Sequence, residues 1–351
     1  MPDDPNKILI IQTAFIGDVI FTTPLIRELK RRWPDSQLTV MVAPRGEFVV
    51  RNNPHVDDII ILDKRGEHRS WKGLNKKIQE IQADKFDLVI APHRSWRSAY
   101  IAWKSGGKRK VGFRKGLGRW IYSPSVPYSI KRESRYVERK LNLIREMGIN
   151  PNSSDVEMFV DDNDRQEVAQ ILDSERIKNK PLAALNPGSQ WATKQWPVEY
   201  YLELGARLGK ELGLQVVLLG SPAEKGMLDW LEQHMEPKPL NRAGESLGMA
   251  AAWLERCDVY VGGDTGPTYM AVAVGTKHVI ALYGPTPENV FDFRDSDAVM
   301  FKEGLRCRPC SPHGPRVCPI GTLECQTGIW VGGVFNIIAH KLKKVQLGGS
   351  T

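Results

Sequence analysis

Short apolar runs alternate with longer amphipathic stretches along most of the chain. Lys7 to Gln12 (KILIIQ) is apolar without a period, which predicts a strand buried on both faces. Asp18 to Trp33 carries Val19, Ile20, Leu25, Ile26 and Leu29 at helical spacing, with Arg27, Lys30, Arg31 and Arg32 between them. Strands are expected at Gln37 to Val42, Asp58 to Leu62 and Phe86 to Ala91, with a polar helix over Trp71 to Gln82. A helix follows over Ser134 to Met147, ended by Gly148, and another from Arg165 to about Arg176. The polar stretch Lys178-Asn179-Lys180-Pro181 then reads as a linker. A second alternating set begins beyond it. Strands are expected at Leu182 to Asn186, Leu214 to Leu219, Val259 to Gly262 and His278 to Tyr283. The helices between them cover Pro197 to Glu211, Pro222 to Met235, Ser246 to Cys257 and Pro267 to Val274. Strands that alternate with such helices mean βαβ units and parallel sheets. The expected fold class is α/β: two Rossmann-like, doubly wound domains, 1–177 and 178–351, facing a cleft. Ligands of such folds bind at the carboxyl ends of the strands.

The length of 351 residues agrees with two domains. With 41% hydrophobic and 26% charged residues, the chain is neither disordered nor fibrous. No window reaches the ~18 uninterrupted apolar residues of a spanning helix. The start, Met1-Pro2-Asp3-Asp4-Pro5-Asn6, lacks the basic and apolar regions of a signal peptide, so a cytosolic protein with reduced thiols is expected.

Charge sharpens this picture. Lys plus Arg is 49 and Asp plus Glu is 41, a net +8. The segment from Arg94 to Arg119 holds nine basic residues (Arg94, Arg97, Lys104, Lys108, Arg109, Lys110, Arg114, Lys115 and Arg119) and no acid. It is either a solvated helix and loop or a patch for an anionic partner. A nucleic acid would explain the charge, but neither the paired α/β halves nor the anion-binding loops described next, and it is not expected as a partner.

Four loops follow expected strands. In Thr13 to Asp18, Gly17 permits a tight turn, and the carboxylate of Asp18 is either a helix cap or a general base. The loop lacks the GxGxxG pattern of dinucleotide binders. In Asn186 to Pro197, Gly188 and Ser189 offer N–H groups and a hydroxyl, and Thr193 and Lys194 add a hydroxyl and a cation before a helix. This combination suits a phosphate. Gly262 to Thr268 (GGDTGPT) makes a second anion-friendly helix start, with Asp264 as ligand-side carboxylate or as cap. Tyr283 to Glu288 (YGPTPE) places the Thr286 hydroxyl in a tight turn.

Taken together, GDVIFTTPLIRELKRRWP, NPGSQWATKQWP, GGDTGP and LYGPTPE, in this order between about Lys7 and Cys325, resemble the ADP-heptose:lipopolysaccharide heptosyltransferases. Those are inverting enzymes of glycosyltransferase family 9 with the GT-B fold, and the chain looks more like heptosyltransferase II than I. The resemblance implies that Asp18 is the catalytic base and that Lys194 contacts the donor diphosphate, with Ser189 and Thr193 beside it. It implies that Asp264, Thr265 and Gly266 form the donor-binding turn, that Glu224 contacts the ribose, and that Thr286 lies in the last phosphate-side loop. The family usually has a histidine where this chain has Tyr269. The first domain would bind the acceptor, using Arg94 to Arg119 against core carboxylates and lipid phosphates, and the second would bind the ADP-sugar. The implied reaction moves heptose from ADP-L-glycero-D-manno-heptose to the lipopolysaccharide inner core, an anionic glycolipid, by an enzyme peripheral to the inner membrane and without a catalytic cofactor. The alternatives are a family 9 enzyme with another acceptor (a protein or another core position) and a nucleotide-sugar-binding protein without transferase activity.

The spacing Cys307-x2-Cys310-x7-Cys318-x6-Cys325 lies in a Pro- and Gly-rich segment. In a cytosolic protein it reads as a structural tetrahedral zinc or iron site rather than as disulfides. Free thiols are the other reading. Cys257, on an expected helix among apolar residues, is a core thiol.

Overall fold

The computed structural model describes residues 4–116, 118–128 and 135–348. The chain divides into two compact units, Met1–Phe159 and Val160–Thr351. The helix Asp162–Ser174 belongs to the second, where Arg165 binds Glu255 of the helix Leu247–Arg256 at 2.7 Å. This division falls one helix before the expected linker at 177/178.

Each unit is built on one six-stranded sheet. The first contains β1 (Lys7–Gln12), β2 (Gln37–Val42), β3 (Asp58–Ile61), β4 (Leu88–Ala91), β5 (Arg109–Phe113) and β6 (Ser125–Val126), in the order β3-β2-β1-β4-β5-β6. The second contains β7 (Leu182–Asn186), β8 (Gln215–Gly220), β9 (Leu240–Ala243), β10 (Val259–Gly263), β11 (His278–Tyr283) and β12 (Ala298–Phe301), in the order β12-β11-β10-β7-β8-β9. Every pairing is parallel, as between β1 and β4 (Ile8 beside Leu88) and between β7 and β10 (Ala183 beside Val259). The two orders are the same doubly wound topology, reversing between β1 and β4 in one unit and between β7 and β10 in the other. The middle strands are covered on both faces. Ile8, Leu9, Ile10 and Ile11 are fully buried, as are Ala183, Ala184 and Leu185, which is why these strands read as unbroken apolar runs.

Helix ends follow their local chemistry. Ser70, Ser95 and Ser246 accept from the N–H three residues on and start the helices Trp71–Ala83, Trp96–Lys104 and Leu247–Arg256. Gly213, at φ 68°, closes the helix Val198–Leu212 in the left-handed region. The helix expected over 18–33 is instead two, Ile16–Ile20 and Thr23–Arg32. A continuous helix would place the Pro24 ring against the Ile20 carbonyl. The Thr22 and Thr23 hydroxyls take the freed carbonyls of Asp18 and Ile20, at 2.8 and 2.9 Å. The helix Tyr136–Arg145 lies within the stretch expected from Ser134, which is itself outside the described residues.

The amino ends of both sheets are held by the same device. Asp87, just before β4, accepts from the Asn6 and Lys7 N–H groups at 2.9 and 3.1 Å and is paired with Lys108, just before β5, at 2.7 Å. The Lys108 ammonium keeps the Asp87 carboxyl below its usual range against a smaller opposing effect of burial. Asp258, just before β10, accepts from the Leu182 N–H at 2.9 Å and is paired with Lys277, just before β11. Lys108 is thus part of the sheet's footing, at the end opposite the loops that follow the strands. The basic segment is neither one helix nor one loop: it holds the helix Trp96–Lys104, strand β5 and the start of Gly118–Ile121. No helix among the described residues is long and apolar enough to cross a membrane.

Asp258→Ala leaves the buried Leu182 N–H without its acceptor. It should lower the unfolding free energy by about 1–3 kcal/mol, read as a lower thermal midpoint, whereas Asp295→Ala in the nearby turn should leave it unchanged.

Candidate functional site

In the first unit the loops after β1 and β4 meet at the point where the strand order reverses. Asp18 lies inside the first turn of Ile16–Ile20, whose N-cap residue is Phe15, so the carboxylate is not the cap. Its Oδ1 accepts from Lys140 Nζ at 3.2 Å. The Asp18 side chain is 41% exposed and that of Lys140 only 9%, so the lysine holds a carboxylate that still faces solvent. Beside them, His93 Nδ1 lies 3.3 Å from Thr13 Oγ1 and 3.2 Å from Ser98 Oγ. Burial pushes the His93 imidazolium down to about 4, and Lys64, Lys140 and Arg94 push in the same direction against the opposing Asp18 charge. His93 is therefore neutral near pH 7. Lys64 donates to the Thr13 carbonyl, and its ammonium is lowered by burial and by Arg97 and Arg65.

Next to this group is a pocket of about 210 Å³ at the carboxyl ends of β4 and β5, lined by His93, Arg94, Trp96, Phe113, Lys115 and Tyr122 among others. Arg94 stacks its guanidinium 3.4 Å over the Tyr128 ring. Arg94 and Lys115 are the members of the basic segment that reach this pocket; Lys108 does not.

In the second unit the loops after β7, β8, β10 and β11 gather in the corresponding place. Lys194 Nζ donates to Asp264 Oδ2 at 2.7 Å and lies 3.2 Å from the Asp264 carbonyl, with both side chains nearly buried. The Tyr269 hydroxyl donates to Asp264 Oδ1 and is 3.0 Å from the Tyr283 hydroxyl. The position where the family resemblance leads one to expect a histidine therefore anchors the aspartate. Gly263 is needed here, because a Cβ would stand 2.8 Å from the Lys194 carbonyl. Thr265 precedes the helix Gly266–Ala273, which Gly266 opens.

Glu224 Oε2 accepts from the Ser221 N–H and hydroxyl at 2.7 and 2.8 Å. The same carboxylate presses on Gly188, where a Cβ would meet Oε1 at 2.0 Å. Glu224 and the Gly188-Ser189 turn are thereby one surface. Ser189 Oγ accepts from the Trp191 N–H at 3.1 Å, and the buried Thr193 hydroxyl donates to the Pro315 carbonyl. The Thr286 hydroxyl is fully buried and has no hydrogen-bond partner among the described residues. In this unit the structure brings together Lys194 with Asp264 and Glu224 with Gly188-Ser189.

Residues 74–317 match the model of glycosyltransferase family 9 (heptosyltransferase). The chain belongs to glycosyltransferase family 9. Among its relatives, the lipooligosaccharide heptosyltransferase 2 of Haemophilus ducreyi is 26% identical over 295 residues, covering 80% of this chain and 84% of that protein. The crystal structure of the family 9 glycosyl transferase of Veillonella parvula matches with a TM-score of 0.87 at 25% identity, covering 98% of this chain and 99% of that one. The ADP-heptose lps heptosyltransferase II of E. coli matches with a TM-score of 0.77 at 21% identity over 97% and 99% of the two chains, a likeness of fold. The family 9 chain is thus a glycosyltransferase, and its two parallel six-stranded sheets are GT-B-like.

Its four clustered cysteines line a second pocket of about 210 Å³ together with Ile320, Thr322 and Glu324. All are free, and among the described residues no group of three or more His, Cys, Asp or Glu is arranged to hold a metal ion. Burial raises the Cys310 thiol, and neighbouring sulfurs raise it further. The same causes push Cys325 up to about 11. Cys318 is lowered, because the N–H groups of Leu323, Ile320, Gly321 and Thr322 point at its sulfur. The segment leans on the loops around Lys194: Gln326 donates to the Thr193 carbonyl at 3.3 Å, and Arg308 to the Gly284 and Thr286 carbonyls at 2.7 and 3.0 Å. Cys257 is buried and its thiol is raised by that burial.

Sequence reasoning did not find Lys140, Lys64 or Ser98. Lys140 occupies an ordinary polar position of an amphipathic helix, and nothing local in the sequence shows that it meets Asp18, 122 residues away.

His93 gives the first unit a pH dependence. Its imidazole is harder to protonate folded than unfolded, so acid favours the unfolded chain. The resulting loss of stability begins as pH falls through 6.5, ends near 4, and amounts to up to about 3 kcal/mol. His93→Gln should flatten that part of a chemical-denaturation profile relative to the parent.

Proposed function

We propose that this family 9 glycosyltransferase transfers L-glycero-D-manno-heptose from ADP-heptose to the anionic inner core of lipopolysaccharide, in the manner of a heptosyltransferase II, on the cytoplasmic side of the inner membrane. The observation that carries the reading is that each unit has a loop site where its strand order reverses. One offers a solvent-facing carboxylate held by a buried lysine, the other a lysine set among anion-friendly turns. The relatives named for heptosyl transfer support the choice of sugar.

The reaction forms a bond from an acceptor hydroxyl oxygen to the anomeric carbon and breaks the bond from that carbon to the diphosphate. Inversion requires the base and the leaving-group cation on opposite sides of the carbon. Asp18 takes the hydroxyl proton, and the Lys140 ammonium keeps that carboxylate oriented. Lys194, with the N–H groups of the Gly188-Ser189 turn and of Gly266, takes the charge that develops on the departing ADP. Thr193 and Asp264 fix the lysine's loop and head group, Glu224 meets the ribose, and Thr286, with its buried unpartnered hydroxyl, faces the phosphate side. The first unit is the acceptor domain, with Arg94 and Lys115 against core carboxylates or phosphates, and the second is the ADP-sugar domain.

Asp18→Asn should lower kcat by about 10²–10⁴-fold with ADP affinity and thermal midpoint nearly unchanged. Lys194→Ala should weaken ADP binding and kcat together. ADP should bind in preference to UDP and GDP in calorimetric titration, and equal affinities would sink the donor assignment. A chain that binds ADP-heptose while turning none over would be the non-catalytic binder.

We further infer that Cys307, Cys310, Cys318 and Cys325 hold a structural zinc or iron, supported by their shared pocket and the four N–H groups aimed at Cys318. No catalytic step runs through it. Protein purified without an affinity tag should contain close to one such ion per chain. Cys310→Ser should release it, lower the thermal midpoint and loosen ADP binding, because the segment props the Thr193 and Thr286 loops. Four titratable thiols without metal in the native protein would refute this.

A further inference from the structure

Four of the five exposed tryptophans among the described residues, Trp71, Trp96, Trp103 and Trp120, lie on the first unit. They come from three helices, Trp71–Ala83, Trp96–Lys104 and Gly118–Ile121, and the middle one packs against each of the other two. The helix Trp96–Lys104 buries Ser98, Ala99, Ile101 and Ala102, and its aromatic residues point the other way. Trp96 lies 5.6 Å from Trp71, Trp71 lies 5.4 Å from Tyr100, and Tyr100 lies 6.1 Å from Trp103, a continuous aromatic row open to solvent.

Cations flank the row. Arg97 lies over Trp96, Lys104 over Trp103 and Arg119 over Trp120, at 5.3, 4.2 and 5.2 Å. The helices Trp96–Lys104 and Gly118–Ile121 contain no acid, and Glu80, the one acid of Trp71–Ala83, is paired with Lys77. Indoles left in water beside unopposed cations fit the boundary of an anionic lipid layer, where the ring lies at headgroup depth and each cation meets lipid phosphates. The pocket holding Arg94 and Lys115 is bounded by Trp96 itself and by Gly118, two residues before Trp120.

We propose that this three-helix face docks on an anionic phospholipid surface through Trp71, Trp96, Trp103 and Trp120, with Arg97, Lys104 and Arg119 meeting the headgroups. The mouth of the Arg94–Lys115 pocket is thereby held at the lipid boundary. The role of that pocket rests on the acceptor reading above; the docking itself does not.

The test uses the full chain and vesicles free of glycan: phosphatidylcholine alone, and the same lipid with about a third phosphatidylglycerol. The chain should float with the anionic vesicles, lose them as salt is raised, and show tryptophan quenching by lipids brominated on their acyl chains. Trp103→Ser with Trp120→Ser should cut partitioning by about tenfold or more, with the thermal midpoint held. Trp330→Ser, the exposed tryptophan of the second unit, should bind like the parent. Lys104→Ser with Arg119→Ser should flatten the dependence on anionic lipid. A parent chain that ignores the vesicles, or a double tryptophan variant that binds them equally well, overturns the proposal. So does concentration-dependent self-association abolished by the same double variant, which would assign the face to a second copy. Vesicle binding without heptosyl transfer would count against the transferase reading and leave the docking intact.

Discussion

A parallel sheet whose strand order reverses at its centre sends the connections from its two middle strands to opposite faces. The loops at the carboxyl ends of those strands part, and a gap opens between them. Both units of this chain are built on that constraint, and the chemistry collects where it acts. Thr13 and Asp18 leave β1 while His93 leaves β4. Lys194 leaves β7 while Asp264 leaves β10. The buried apolar strands, the serine-capped helices and the Asp87 and Asp258 footings all serve to keep those four strand ends in register.

The same constraint explains what could be read from the sequence. Strands such as KILIIQ and HVIALY are covered on both faces and announce themselves as apolar runs. Strand β5 begins with Arg109 and Lys110 and hides inside a basic segment, while β6 has only two residues and β9 (LNRA) is half polar. Of these, β6 and β9 are edge strands, stabilised by one neighbour and by tertiary contacts, which leave no local period. The break between the first two helices was equally invisible to spacing, because apolar residues keep the helical period across Pro24 while the backbone does not.

The candidate site was legible to the extent that it lies in loops. Glycines, prolines and hydroxyls after strands marked Asp18, the Ser189–Lys194 stretch, Asp264 and Thr286. What escaped were groups that act by reaching across the fold, such as Lys140 toward Asp18 and Lys64 toward Thr13. The basic run was legible as charge but not as use. The fold divides it among a sheet footing at Lys108, a pocket at Arg94 and Lys115, and an aromatic face edged by Arg97, Lys104 and Arg119.

In the proposed reaction the Lys194–Asp264 pair would bear on turnover. A lysine alone in that turn would hold a nucleoside diphosphate as firmly after transfer as before it. Here the ammonium already has a buried carboxylate at 2.7 Å, itself held by the Tyr269 hydroxyl. On the donor assignment proposed above, an arriving diphosphate would have to share the cation with Asp264, and a departing one would return the lysine to a partner already in place. The aspartate would then act as a built-in competitor to the spent nucleotide, giving up some grip on the donor in exchange for faster clearance of the product.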